Sequence, residues 1–193
     1  MKIILASKSP RRIELVSLMG LDCASIPCTA EERIDRSLPP EEVVKALARQ
    51  KADFVFKDHP DCCVIGADTV VYLDGEIIGK PKSERDAFSI LSRLSGRTHL
   101  VYTGLAVMTH EVSDVRHCIT EVTFHELSEN ELNWYISTKE PMDKAGAYGM
   151  QGVGGVFIKN VSGSYFNIIG LPIDLLYHML LEARVIKEDH TIV

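Results

Sequence analysis

The chain has 193 residues, 46% of them hydrophobic and 25% charged, with 13 glycines and 8 prolines scattered along it. That profile excludes fibrous, disordered and repeat architectures and suits one compact domain over residues 1–193, in which two lobes remain possible. A formal charge of −6 excludes sequence-independent duplex binding, which needs a broad basic surface, so any phosphate site must be local.

The opening MKIILASKSPRR holds an apolar run too short for a signal peptide or a membrane span, so a cytosolic protein is expected. Lys2 to Ala6 reads as a short buried strand. Ser9 and Pro10 then supply an N-cap and a proline at the first helical position. Ile13, Leu15, Val16, Leu18 and Met19 give this helix an apolar side, and Gly20 is placed to end it. Pro39 to Phe56 reads as an amphipathic helix with Val44, Leu47, Ala48, Ala52 and Val55 on one stripe. Lys51 falls inside that stripe, where it either snorkels to solvent or points into a cleft to meet an anion.

Cys63 to Leu73 is rich in β-branched residues and reads as a central strand, with Asp74-Gly75 as a type I′ turn into Glu76 to Ile78. Ser83 caps a helix carrying Ala87, Ile90, Leu91 and Leu94. Thr98 to Met108 and His117 to His125 read as two long antiparallel strands, and Ser128 with Glu131 forms a capping box for a helix around Trp134. The stretch from Asp143 to Pro172 holds seven glycines, which mark sharp turns or close approach to a ligand. A helix from Ile173 to Ala183 follows. Strands alternate with helices early and pair as hairpins later, so the fold class is α/β: a mixed, curved sheet flanked by helices.

Five cysteines, Cys23, Cys28, Cys62, Cys63 and Cys118, lack CxxC spacing, so reduced, packed thiols are expected rather than disulfides or a zinc site. No histidine pair has zinc-hydrolase spacing, and the Walker A, dinucleotide and GxSxG patterns are absent. What remains is a set of scattered groups. Ser7, Ser9, Arg11 and Arg12 stand at the start of the first helix, where the helix dipole and guanidinium groups attract an anion, or merely form a capped, solvated end. Asp68 interrupts an apolar strand. A charge there is costly unless paired or on a metal, so it either binds a cation and prepares a water or is satisfied by backbone N–H groups. Glu32, beside Glu31, could add a second oxygen ligand. Lys51 and Lys80 could meet one anion as point charges, and Gln151 offers a donor and an acceptor to a base edge.

Taken in order, LASKSPRR, the Glu-Glu-Arg segment, ARQKA, GADTVV, GKP, LSGRTH and DKAGAYGMQGVGG resemble the Maf family of nucleotide pyrophosphatases over nearly the whole chain. The resemblance implies a mixed α/β fold related to the inosine triphosphate pyrophosphatases (Ham1), two lobes around a cleft, homodimers and dependence on Mg²⁺ or Mn²⁺. It implies hydrolysis of a nucleoside triphosphate to the monophosphate and pyrophosphate, with Asp68 as proton acceptor and Glu32 and Asp68 near the metal. Ser9, Arg11, Arg12, Lys51 and Lys80 would meet the triphosphate, and Arg12, Thr69 and Gln151 would influence substrate choice. Arg-Arg after Ser-Pro together with Gln in GMQG is similar to the subgroup acting on dTTP and UTP. No membrane and no stable nucleic-acid complex are expected. The competing readings are a phosphatase for another phosphorylated metabolite and a cell-division regulator that binds nucleotide or nucleic acid without turnover.

Overall fold

The computed structural model describes residues 1–32, 35 and 38–193, so Arg33 of the Glu-Glu-Arg segment lies outside the described residues. The strand β1 (Lys2–Leu5) is flanked by β2 (Cys23–Ser25) and β3 (Cys62–Leu73), both parallel to it, with Ile3 opposite Cys23 on one side and Cys63 on the other. Parallel neighbours need crossovers, and α1 (Pro10–Leu18) and α2 (Pro40–Phe56) supply them. Asp74 and Gly75 both take positive φ, 53° and 83°, as a type I′ turn requires, and β4 (Glu76–Ile78) returns antiparallel along β3. Next in the sheet come β5 (Thr98–Met108) and β6 (Ser113–Phe124), whose connection is too short for anything but an antiparallel pair. Antiparallel to β6 runs β7 (Ile158–Ser162). Among the described residues the sheet has seven strands, in the order β2-β1-β3-β5-β6-β7 with β4 on β3. The expected mixed α/β class is therefore what the chain adopts.

The chain forms two compact units, Met1–Asp68 with Thr103–Cys118 and Gly170–Val193, and Thr69–Tyr102 with Ile119–Ile169. In the first, α2 buries the anticipated stripe and Val43 as well. Its Ala48, Ala52 and Val55 pack with Ile4, Ala6, Val64, Ala106 and Met108. The packing is close because the strands present no side chain at two places. A Cβ at Gly66 would stand 2.1 Å from the Ala48 carbonyl oxygen, and one at Gly104 2.2 Å from that of Val44. The final helix α6 (Ile173–Glu182) buries Leu176, Met179 and Leu180.

The second unit contains α3 (Glu84–Leu94), α4 (Glu129–Ser137) and α5 (Tyr165–Ile169). The Ser83 hydroxyl accepts the Asp86 N–H, and Ser128 and Glu131 form the anticipated capping box. Its core joins Leu91, Leu94, Phe124, Tyr135, Tyr148 and Phe157.

Several expectations need correction. Ile13 and Leu18 are 41% and 65% exposed, because only Leu15 and Val16 of α1 face the core. Ser9 occupies the N-cap position but its side chain caps nothing. The strand β6 starts at Ser113 rather than His117. Unanticipated were β2, β7 and α5, of three to five residues each, too short to display a period.

Within the second unit, His99 is buried edge-on against Phe124 and Tyr148, its Nε2 2.8 Å from the Tyr148 hydroxyl. Its Nδ1 has no hydrogen-bond partner among the described residues. Burial pushes its pKa from 6.5 down to about 4. Between those values the unfolded chain takes up a proton that the native state refuses, so the stability present above pH 6.5 falls as pH drops toward 4. The expected loss is on the order of 3 kcal/mol by pH 4. Urea midpoints from pH 7 to 4 measure it. The slope should flatten in His99→Leu, and an equal slope in that variant would acquit His99.

Candidate active site

In the first unit the turn between β1 and α1 is fastened at Ser7, which is buried. Its hydroxyl accepts the Ser9 N–H at 3.1 Å, and its carbonyl accepts the Ser25 hydroxyl at 2.6 Å. The turn therefore holds a defined shape where α1 begins, with Ser9 immediately before Pro10 at the positive end of the helix dipole. One turn of helix further, the Arg12 guanidinium donates from Nε to the Gly170 carbonyl (2.7 Å) and from Nη1 to the Ala67 carbonyl (2.9 Å). Burial lowers the Arg12 pKa; the negative charges of Asp68 and Glu32 oppose that effect, and Arg11 adds to it.

Asp68 follows directly on Ala67 in β3 and takes up a charge pair. Lys51 Nζ lies 2.5 Å from Asp68 Oδ1 and 2.9 Å from Glu32 Oε1. Of these side chains Lys51 is 14% exposed, Asp68 13% and Glu32 48%. Lys51 thus leaves the apolar stripe of α2 neither to reach bulk solvent nor to wait unpaired; it bridges two carboxylates. The preceding residue, Gln50, donates from Nε2 to the Glu31 carbonyl at 3.2 Å, so consecutive residues of α2 tether the acidic segment. Two cations, Arg12 and Lys51, face two anions, Asp68 and Glu32. This balance is what makes a partly buried cluster tolerable, because removing one member leaves an uncompensated charge.

The same geometry bears on a metal. Two carboxylates converging on one positive centre offer hard oxygen donors to a divalent cation, and such an ion commonly takes its other ligands from phosphate and water. Among the described residues no group of three or more His, Cys, Asp or Glu could hold a metal. The two carboxylates of Asp68 and Glu32 fit a cation that takes its remaining ligands from phosphate and water.

Ser9, Arg11, Arg12, Glu32, Lys51 and Asp68 all belong to the first unit, whereas Thr69, Lys80 and Gln151 belong to the second. Thr69 is half-buried in β3, and Lys80 is exposed just after β4. The Gly79 carbonyl before Lys80 accepts the Gly146 N–H at 3.0 Å, which ties the Gly-Lys-Pro turn to the glycine-rich segment. Gln151 is exposed in that segment. Sequence reasoning missed the carbonyls of Ala67 and Gly170 that hold Arg12, and it missed Tyr135 and Glu140, which bind the glycine-rich segment. A carboxylate shortly before a run of glycines was the available signal for Glu140.

A family profile described as Maf-like protein matches residues 2–183. Among curated relatives, a dTTP/UTP pyrophosphatase of Bacillus velezensis is 46% identical over 95% of this chain and 97% of its own length. One of Aquifex aeolicus is 45% identical over 96% and 97%, and one of Bacillus cytotoxicus 47% identical over 97% and 93%. Among solved structures, the Ham1 protein of Staphylococcus aureus has a TM-score of 0.55 at 14% identity, covering 95% of this chain and 100% of its own. A Ham1 protein of Coxiella burnetii has a TM-score of 0.52 at 16% identity, covering 94% and 99%. At those identities the solved structures speak to the fold alone.

Proposed function

The chain belongs to the Maf family, and on that premise we propose that it hydrolyses a nucleoside triphosphate, dTTP or UTP, to the monophosphate and pyrophosphate. The observation that supports this most directly is Lys51 held between Asp68 and Glu32. It is a charge-balanced cluster beside a helix N-terminus, where an entering polyphosphate can exchange places with internal partners.

On this reading Lys51 passes from the carboxylates to phosphate oxygens, and Asp68, relieved of its counter-ion, accepts the proton of the attacking water. Arg12, fixed by two carbonyls, presents its charge at a set position, with Arg11 and Ser9 beside it. Glu32 and Asp68 are the residues that would hold Mg²⁺ or Mn²⁺, whose chemistry when bound is to neutralise phosphate charge and orient a water. Thr69, Lys80 and Gln151 are carried over by the family resemblance as further substrate contacts, Lys80 to phosphate and Gln151 to the base. The same resemblance carries a homodimer, the short apolar run at the start of the chain carries the cytoplasmic expectation, and no helix among the described residues is long and apolar enough to cross a membrane.

The test is pyrophosphate release from dTTP, UTP, CTP, GTP, ATP and methylated nucleotides with Mg²⁺ or Mn²⁺. Selective cleavage of dTTP and UTP supports the proposal. Saturable nucleotide binding without product in any combination would sink it and favour a non-catalytic regulator. Lys51→Met keeps the helix stripe but removes the cation, and kcat/KM for dTTP should fall about a hundredfold, the scale for losing one preorganised charge on a phosphoryl transition state. Steady-state kinetics checks this, and a loss under threefold would leave Lys51 with only the carboxylates to serve.

A further inference from the structure

Gln151 sits in a short stretch pinned on both sides by one carboxylate and one phenol of the second unit. On its N-terminal side, the Gly149 N–H donates to the Tyr135 hydroxyl oxygen at 3.1 Å. On its C-terminal side, the Val153 N–H donates to Glu140 Oε2 at 2.9 Å and the Gly154 N–H to Oε1 at 3.1 Å. The two anchors are themselves joined, since the Tyr135 hydroxyl donates to Glu140 Oε1 at 2.8 Å. Lys144 Nζ donates to the Glu140 carbonyl at 2.7 Å and fixes the acid's own backbone.

The glycines around Gln151 are shaped to this pair. A Cβ at Gly152 would stand 2.4 Å from both Glu140 carboxylate oxygens, and one at Gly154 2.4 Å from the Tyr135 oxygen. A Cβ at Gly149 would stand 2.6 Å from Lys144 Cε. The backbone therefore wraps the Glu140 carboxylate as closely as glycine permits, while the Gln151 side chain remains exposed. Burial would raise the Glu140 pKa, but the N–H groups of Gly154 and Val153 and the Tyr135 hydroxyl outweigh it and hold the acid below its ordinary value. Glu140 is thus an anionic acceptor at neutral pH, the stronger form of such an anchor.

We propose that Glu140, together with Tyr135, is a positioning residue that sets the presentation of Gln151 and hence the recognition of the nucleotide base. The proposal rests on the reading of Gln151 as a base contact. The turn at Gly152 to Gly155 does not by itself hold the Gln151 side chain in place, and discrimination among bases depends on donors and acceptors being fixed before the ligand arrives.

The experiment is a double-mutant cycle on Glu140→Gln and Gln151→Ala, read as the Kd of α,β-methylene dTTP by calorimetry with Mg²⁺, which needs no turnover. Each single variant should weaken binding about tenfold, and the double variant should bind no worse than Gln151→Ala alone. Discrimination against the corresponding dATP analogue should collapse in both singles. Tyr135→Phe, which deletes only the hydroxyl, repeats the cycle should Glu140→Gln fail to fold. Losses that multiply in the double variant would overturn the proposal, because Glu140 would then act independently of Gln151. So would unchanged affinity in Glu140→Gln, or no binding by the wild type. Wild-type binding without hydrolysis would defeat the proposed catalytic function and still leave the cycle to decide the role of Glu140.

Discussion

Replacing Asp68 by asparagine should lower the rate of pyrophosphate release from dTTP by a factor of about a thousand, within the range for removing a general base and an electrostatic contact. The substitution keeps the shape of the side chain and deletes its charge and its basicity. The fold should survive, because Lys51 retains Glu32 at 2.9 Å and Arg12 retains the carbonyls of Ala67 and Gly170. A cost remains, since the Asp68 charge opposes the burial that lowers the Arg12 pKa. The measurement is single-turnover product formation beside a circular dichroism melt. Native-like melting with more than a tenth of wild-type turnover would reduce Asp68 to a counter-ion for Lys51.

Adding one methyl group at Gly66 is expected to damage stability and activity together. A Cβ there would meet the Ala48 carbonyl oxygen at 2.1 Å, with the Ala52 nitrogen and Cβ at 3.0 Å. Two of these are backbone atoms and the third is a Cβ, which leaves α2 no rotamer with which to yield; the helix must move outward as a body. Overpacking of this kind costs about 3 kcal/mol, which for a chain of this size lowers Tm by about 6–12 °C. Lys51 lies between Ala48 and Ala52 on the displaced helix, so its bridge to Asp68 and Glu32 should loosen and turnover should drop even below the melting range. Gly79→Ala is the thermal control, since nothing stands within 4 Å of its Cβ. A Gly66→Ala protein melting within about 2 °C of the wild type would show that the strand and helix separate easily.

How much of this was legible in the sequence depended on where each partner lay. The helix α2 could be read because its stripe persists through 17 residues, and Asp68 because one charge interrupts an apolar strand. The turn at Asp74-Gly75 could be read because its chemistry is local. Arg12 could be placed at a helix start, but its carbonyl partners could not, since they lie 55 and 158 residues away and are backbone atoms with no identity to read. Lys51 was ambiguous for a similar reason: snorkelling and ion pairing use the same stripe position, and only the spatial arrival of Asp68 and Glu32 decides. Gln151 was visible as a side chain, while Tyr135 and Glu140 stayed hidden because they act on the backbone around it. The exposure of Ile13 and Leu18 escaped notice because a short helix shows too few turns to fix which side is covered.

The first unit is discontinuous, drawn from three stretches, the last of which begins at Gly170. A ribosome delivers those stretches in order, and the last residue of the second unit is Ile169. During synthesis the second unit can therefore close while the first still lacks its final helix. The bond from Arg12 to Gly170, spanning 158 residues, closes a long loop at the turn between β1 and α1, and loop closure must precede its reward. The cluster proposed for catalysis is thus completed late in translation, and a half-made chain holds Asp68 and Lys51 without a fully seated Arg12.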